Sequence, residues 1–137
     1  MLSLAISISK QINFTGYLMS RRSDALYLDD ILQSVLAIAD YVKNCDFEEF
    51  RNDRKTYSAT IREFEIIGEA IGKISEDIRI KYPDVAWRDI KDFRNLLIHE
   101  YFGVDAKILW NTISNDLPEL GQQIAAIISS EKKENNE

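Results

Sequence analysis

Apolar positions recur along most of the chain at steps of three and four, the period of a helix with one buried face. Leu28, Ile31, Leu32, Val35, Ala39 and Val42 make the first stripe, with Ser23 placed to cap its start and Asn44, Cys45 and Asp46 to end it. Phe47 and Phe50 fall in a short connecting turn. A longer stripe, Ile61, Phe64, Ile67, Ile71 and Ile74, predicts a helix from near Asp53 to about Ile78, stopped by Pro83. Gly68 and Gly72 lie one turn apart inside it. Each costs up to ~1 kcal/mol against alanine in a helix, so the pair points to close approach by another helix. A third helical segment between Pro83 and Gly103 carries Trp87, Ile90, Phe93, Leu96, Leu97 and Ile98, and Gly103 fits a C-terminal cap. Asp105 can cap a fourth, with Ile108, Leu109, Ile113, Leu117, Leu120, Ile124 and Ile128. Pro118 falls inside that pattern and predicts a kink or break. No useful length alternates with period two. With short connections, these elements predict an all-α, antiparallel four-helix bundle with extra short helices and a Pro-kinked last helix.

The two ends break the pattern. Residues 1–19 are mildly apolar but contain Lys10, Gln11, Asn13 and Thr15, and no basic stretch precedes their apolar residues, which argues against a signal peptide. Helical patterning begins beside Met19, so 1–19 is expected to be a poorly ordered extension, 20–129 the helical domain, and 130–137 a polar, fraying tail. No run is long and apolar enough for a membrane helix.

Composition narrows the chemistry. Five glycines and two prolines are too few turn formers for a sandwich or barrel of many short strands. The lone cysteine, Cys45, excludes an internal disulfide and a cysteine zinc cluster, and suits a reducing cytoplasm. It follows a predicted helix end, shows no cationic helix start or histidine partner, and reads as inert. A net charge of −6 means that contact with RNA must rely on a local basic patch. The single histidine, His99, removes every mechanism that needs two histidines from one chain.

The segment Asp92-Phe-Arg-Asn-Leu-Leu-Ile-His-Glu-Tyr-Phe-Gly-Val-Asp105 concentrates the unusual chemistry. Arg94 offers a planar, permanently charged fork suited to phosphate oxygens. His99 has the one side chain here whose ordinary pKa lies near neutrality, and is the natural proton-transfer group. Asn95 precedes it by one turn. On a straight helix His99 lies about 140° around the axis from Arg94. Either the last turn unwinds before Gly103, or a second copy of the chain completes the site. A symmetric dimer would also supply two histidines, one to remove a proton and one to return it, as RNA cleavage by 2′-oxygen attack favours. The spacing alone does not overturn the commoner arrangement of a lone arginine and histidine, a helix-end histidine bonded to a carbonyl and Arg94 paired on the surface with Asp92 or Glu100.

Arg94-Asn-Leu-Leu-Ile-His99-Glu-Tyr101 resembles the Arg, four residues, His, any residue, Tyr motif of HEPN-domain proteins, and more narrowly the HepT-like toxins of HEPN/MNT toxin–antitoxin pairs. Arg22 to Leu32, Phe64 to Ala70, Tyr82 to Arg88, Tyr101 to Asp105 and Asp116 to Leu120 resemble further segments of that family, in order, over about residues 20–128. The resemblance implies an all-α bundle, a homodimer with the option of higher assembly, and a metal-independent endoribonuclease without a cofactor. Carried over, Arg94 would hold the scissile phosphate, His99 would transfer protons, and Asn95 would orient the histidine or bind RNA. Tyr101 matches the tyrosine to which the cognate nucleotidyltransferase antitoxin adds AMP from ATP. Negative charge and bulk beside the cleft would then exclude RNA.

Arg88, Lys91 and Arg94 recur at steps of three, making one face near the motif basic, and Lys107 follows shortly after. Arg88 and Lys91 are therefore candidate RNA-binding residues. Glu65 and Glu69 are one turn apart, but no second acidic pair accompanies them. A buried ion pair of Glu69 with a basic residue such as Arg62 or Arg94 is the expectation in place of a metal. Trp87 and Trp110 read as core or interface anchors in preference to base-stacking platforms. The competing functional class is a catalytically silent RNA- or nucleotide-binding module, or a docking subunit for the nucleotidyltransferase.

Overall fold

A computed structural model of the chain describes residues 2–99 and 105–136. These form seven helices and no strand: α1 (Leu2–Val42), α2 (Phe47–Asn52), α3 (Arg54–Lys73), α4 (Glu76–Lys81), α5 (Trp87–His99), α6 (Ala106–Asn115) and α7 (Leu117–Asn135). The all-α architecture is the one the apolar period predicts. α3 lies between α1 and α5, α7 packs on the other side of α1, and the short α2 and α6 close the end of the bundle against α3 and α7.

The core joins the predicted stripes. Leu28, Ile31 and Val35 of α1 meet Ile61, Phe64, Ile67 and Ile71 of α3, and Leu109, Ile113, Leu117, Leu120 and Ile124 close the opposite side. At the far end of the α1 stripe the buried position is Ile38, and Ala39 is exposed. The step of three from Val35 buries four side-chain carbons where the step of four would bury one, which is the larger hydrophobic gain.

Boundaries differ from the sequence expectation at three places. Nothing between Leu2 and Ser23 breaks a helix, so Ser23 lies inside α1 and caps nothing. The long second helix ends at Lys73: Ile74 turns extended, and the Ser75 hydroxyl accepts from the Ile78 amide to start α4. A buried carboxylate fixes this corner. Asp24, only 5% exposed, accepts from the Ser75 amide at 2.8 Å and from its hydroxyl at 2.6 Å. Pro118, expected to kink one last helix, sits in the first turn of α7 after a break at Asp116, where its missing N–H costs no helical bond.

The Phe47–Phe50 turn is a short helix, held by a reciprocal capping box. The Asp46 carboxylate accepts from the Glu49 amide at 2.8 Å, and Glu49 accepts from the Asp46 amide at 3.3 Å. Its Phe50 is fully buried beside Tyr57 and Trp110. At the opposite end α4 is tied to α7. Lys81 donates to Glu131 and Glu134, and the Tyr82 hydroxyl donates to Glu131 at 2.9 Å.

Candidate active site

Hydrophobic anchors set α5 in place. Trp87 is buried and its indole N–H donates to the Tyr82 carbonyl at 3.0 Å; Leu97 is fully buried. Phe93 meets Phe64 of α3 edge-on, with centroids 5.2 Å apart. These contacts hold the face of α5 that carries Arg94 against α3.

Arg94 is half-buried and lies directly over Gly68. A Cβ built on Gly68 would overlap Cβ and Cγ of Arg94. One turn along, Gly72 faces the end of Lys91, whose Cε lies 3.9 Å from where a Cβ would stand. The two glycines thus form the close approach expected of them, and the partner is α5. Sequence reasoning found the seam but not that Arg94 occupies it. Arg94 follows Gly68 by twenty-six positions, and helical spacing within one segment says nothing about such a pair.

The guanidinium Nη1 donates to Asn95 Oδ1 at 3.2 Å. Its Nε is buried without a hydrogen-bond partner among the described residues. No described carboxylate pairs with Arg94, Asp92 included. Asn95 therefore meets the arginine. The positive charge stays available to an anion.

The structure separates the remaining candidates. Arg88 and Lys91 are both exposed on α5. Lys91 shares the glycine seam with Arg94. Lys107 lies over the Phe47 ring, 4.6 Å from its centroid. His99 is the last described position of α5, and its side chain lies outside the description. Tyr101, Glu100 and Gly103 also lie outside the described residues.

The expected partner of Glu69 is corrected. It pairs with Lys73 at 3.4 Å and Glu65 with Arg62 at 3.3 Å, both along the α3 surface. An i,i+3 or i,i+4 partner on the same helix needs no burial of either charge, unlike a pair formed across the seam. Trp110 stands between Phe47 and Phe50 as a packing anchor. Burial, then the nearby carboxylates of Glu49, Asp46 and Asp53, push the Cys45 thiol above its ordinary pKa, in keeping with an inert side chain.

Neither large cavity contains Arg94. One of about 700 Å³ lies between α1, α4 and α7, and one of about 360 Å³ lies over Phe64, Phe93 and Leu120.

An all-helical bundle bearing an unneutralised arginine five residues before its only histidine belongs to a recognisable class. The family described as Ribonuclease HepT-like matches residues 31–127. The chain is 38% identical over 109 residues to a protein named as a candidate RNase from Methanocaldococcus jannaschii, covering 80% of this chain and 100% of that one. It is 42% identical over 100 residues to a "Probable ribonuclease HepT" from Thermococcus cleftensis, covering 73% and 91%. A candidate RNase from Caldanaerobacter subterraneus subsp. tengcongensis is 42% identical over 106 residues, covering 77% and 95%. No solved structure matches the chain. The chain belongs to the HepT-like ribonuclease family.

Proposed function

We propose that this ribonuclease is a metal-independent endoribonuclease toxin that works in the cytoplasm as a homodimer, with Arg94 and His99 of both copies around one RNA phosphodiester. Arg94 binds the phosphate oxygens and stabilises the charge that builds there. One His99 takes the proton of the ribose 2′-hydroxyl as its oxygen attacks phosphorus. The other gives a proton to the departing 5′-oxygen, leaving a cyclic phosphate. Asn95 supports the guanidinium, and Lys91 and Arg88 draw in the RNA backbone.

The observation that carries this reading is the continuity of α5. The helix runs unbroken from Trp87 through His99. Position 99 therefore remains about 140° around the axis from position 94, which favours completion of the site by a second copy. Beside the motif, Leu96 is 43% exposed and Ile98 41% exposed, two apolar side chains on different sides of the helix.

The restraint on such a toxin is covalent. A cognate MNT-type nucleotidyltransferase antitoxin transfers AMP from ATP to the Tyr101 oxygen with release of pyrophosphate. The added anion then occupies the approach to Arg94.

Incubation of the unmodified chain with total RNA, beside Arg94→Ala and His99→Ala, tests the enzyme. Cleavage is expected from the parent and a loss of at least ~100-fold from either variant. Absence of cleavage by an unmodified parent that still binds RNA or the nucleotidyltransferase would make the chain a silent binding or docking subunit. In cells, Tyr101→Phe keeps the ring and loses the acceptor, so it is expected to remain toxic and to escape the antitoxin.

A further inference from the structure

We propose that Gly68 of α3 is a positioning residue for Arg94: the absent side chain on one helix seats the stem of the phosphate-binding arginine on the next. The proposal rests on Arg94 serving the cleavage reaction described above. It is carried by the overlap of a Gly68 Cβ with Cβ and Cγ of Arg94, and by the approach of Arg94 Cδ to 3.0 Å of the same point. The first two carbons are the root of the side chain. Cβ moves only with its own backbone, so rotation at the far end of the arginine cannot relieve the contact. An alanine at 68 must push α5 off α3, and Asn95, which accepts from Arg94, rides on the same helix.

Gly72 provides the contrast. It lies one turn further along α3, yet a Cβ there meets only the flexible end of Lys91, at 3.9 and 4.0 Å. The requirement for glycine is thus local to Arg94 and is not a general property of the α3–α5 seam. The arginine also has little else to aim it. It forms no ion pair with a described carboxylate, and its Nε is shielded without a partner among the described residues. Packing on Gly68 and the single Asn95 acceptor define where the fork points, which leaves its charge for phosphate.

Gly68→Ala and Gly72→Ala make a matched pair, since both gain the same intrinsic helix preference. The readouts are kcat and KM on RNA, normalised to the folded fraction by circular dichroism, and the NMR cross-peak of the Arg94 Nε–H, identified by its absence in Arg94→Lys. Gly68→Ala is expected to lower kcat at least ~10-fold and to move the Arg94 cross-peak, while Gly72→Ala leaves both as in the parent. A Gly68→Ala protein with parental kcat, or with the Arg94 cross-peak unmoved, would overturn the seat. If the parent itself cleaves no RNA, the ribonuclease reading fails and the cross-peak comparison alone decides the seat. If Gly68→Ala does not fold, combining it with Arg94→Gly removes both overlapping carbons and is expected to restore the helical spectrum. A double variant that remains unfolded would place the need for Gly68 elsewhere.

Discussion

Asp24 and Arg94 show two opposite ways of holding a charged side chain inside a helical bundle. Asp24 is buried with its acceptors filled by the amide and hydroxyl of Ser75, so one carboxylate from α1 closes the corner between α3 and α4. Arg94 is held by packing and one neutral acceptor, with Nε left unpaired among the described residues. The first arrangement maximises stability; the second keeps an unneutralised charge at the cost of a buried donor. Truncating Asp24 removes two hydrogen bonds and leaves the Ser75 amide without its acceptor. Asp24→Ala is therefore expected to destabilise by about 2–4 kcal/mol, read as a lower urea midpoint with an unchanged m-value. A cost below about 0.5 kcal/mol would mean that water replaces the carboxylate freely and that the corner is held by apolar contacts alone.

At the level of helices, the segment around Pro118 decides between a kinked helix and two successive ones. Pro118 lies in the first turn of α7, where no intrahelical amide bond is lost, and Asp116 provides the break without a side-chain cap. Pro118→Ala is expected to change stability by no more than about 1 kcal/mol, compared with ~3 kcal/mol or more for relief of a proline within a helix, and calorimetry separates the two. The all-α class and most of the core were legible because the buried stripes of α3 and α7 follow the helical period, whereas the number of helices was not, since four periodic segments form seven helices. The joints were harder. Ser75 looked like one more residue of a long helix because its controlling partner, Asp24, is fifty-one positions away. The capping box at Asp46 and Glu49 was readable from its spacing, but two phenylalanines within a short connection drew attention to a turn. The candidate site was proposed from a motif, and the packing that supports Arg94 was not readable from it. Gly68 announces a close approach but carries no information about which side chain makes it.

For the whole molecule, one coupling ties α4 to the last turns of α7, and the proposed function adds a second, between two copies of the chain. Burial opposes ionisation of Glu131, but hydrogen bonds from Lys81 and Tyr82, together with the Lys81 charge, hold its carboxyl below the usual range. Its contribution is complete above the unfolded value near ~4.3 and disappears as pH falls through the lower folded value. Glu131→Gln is expected to be less stable than the parent at neutral pH and to lose less on acidification from about pH 5 to 3; parallel acid limbs would remove Glu131 from the coupling. The second coupling follows from the unbroken α5, which keeps positions 94 and 99 of one chain apart. If each cleft draws a histidine from both copies, a mixed dimer of parent and His99→Ala is inactive. Random reassortment of equal amounts leaves about a quarter of the dimers fully parental, so activity is expected to fall to about one quarter. Sites complete within one chain would instead leave about one half. Co-refolding the two chains at graded ratios traces the curve, and dependence on the square of the parent fraction distinguishes a shared cleft from two independent ones. A straight line would return the chemistry to a single protomer and require the segment after His99 to bring its side chain back to Arg94.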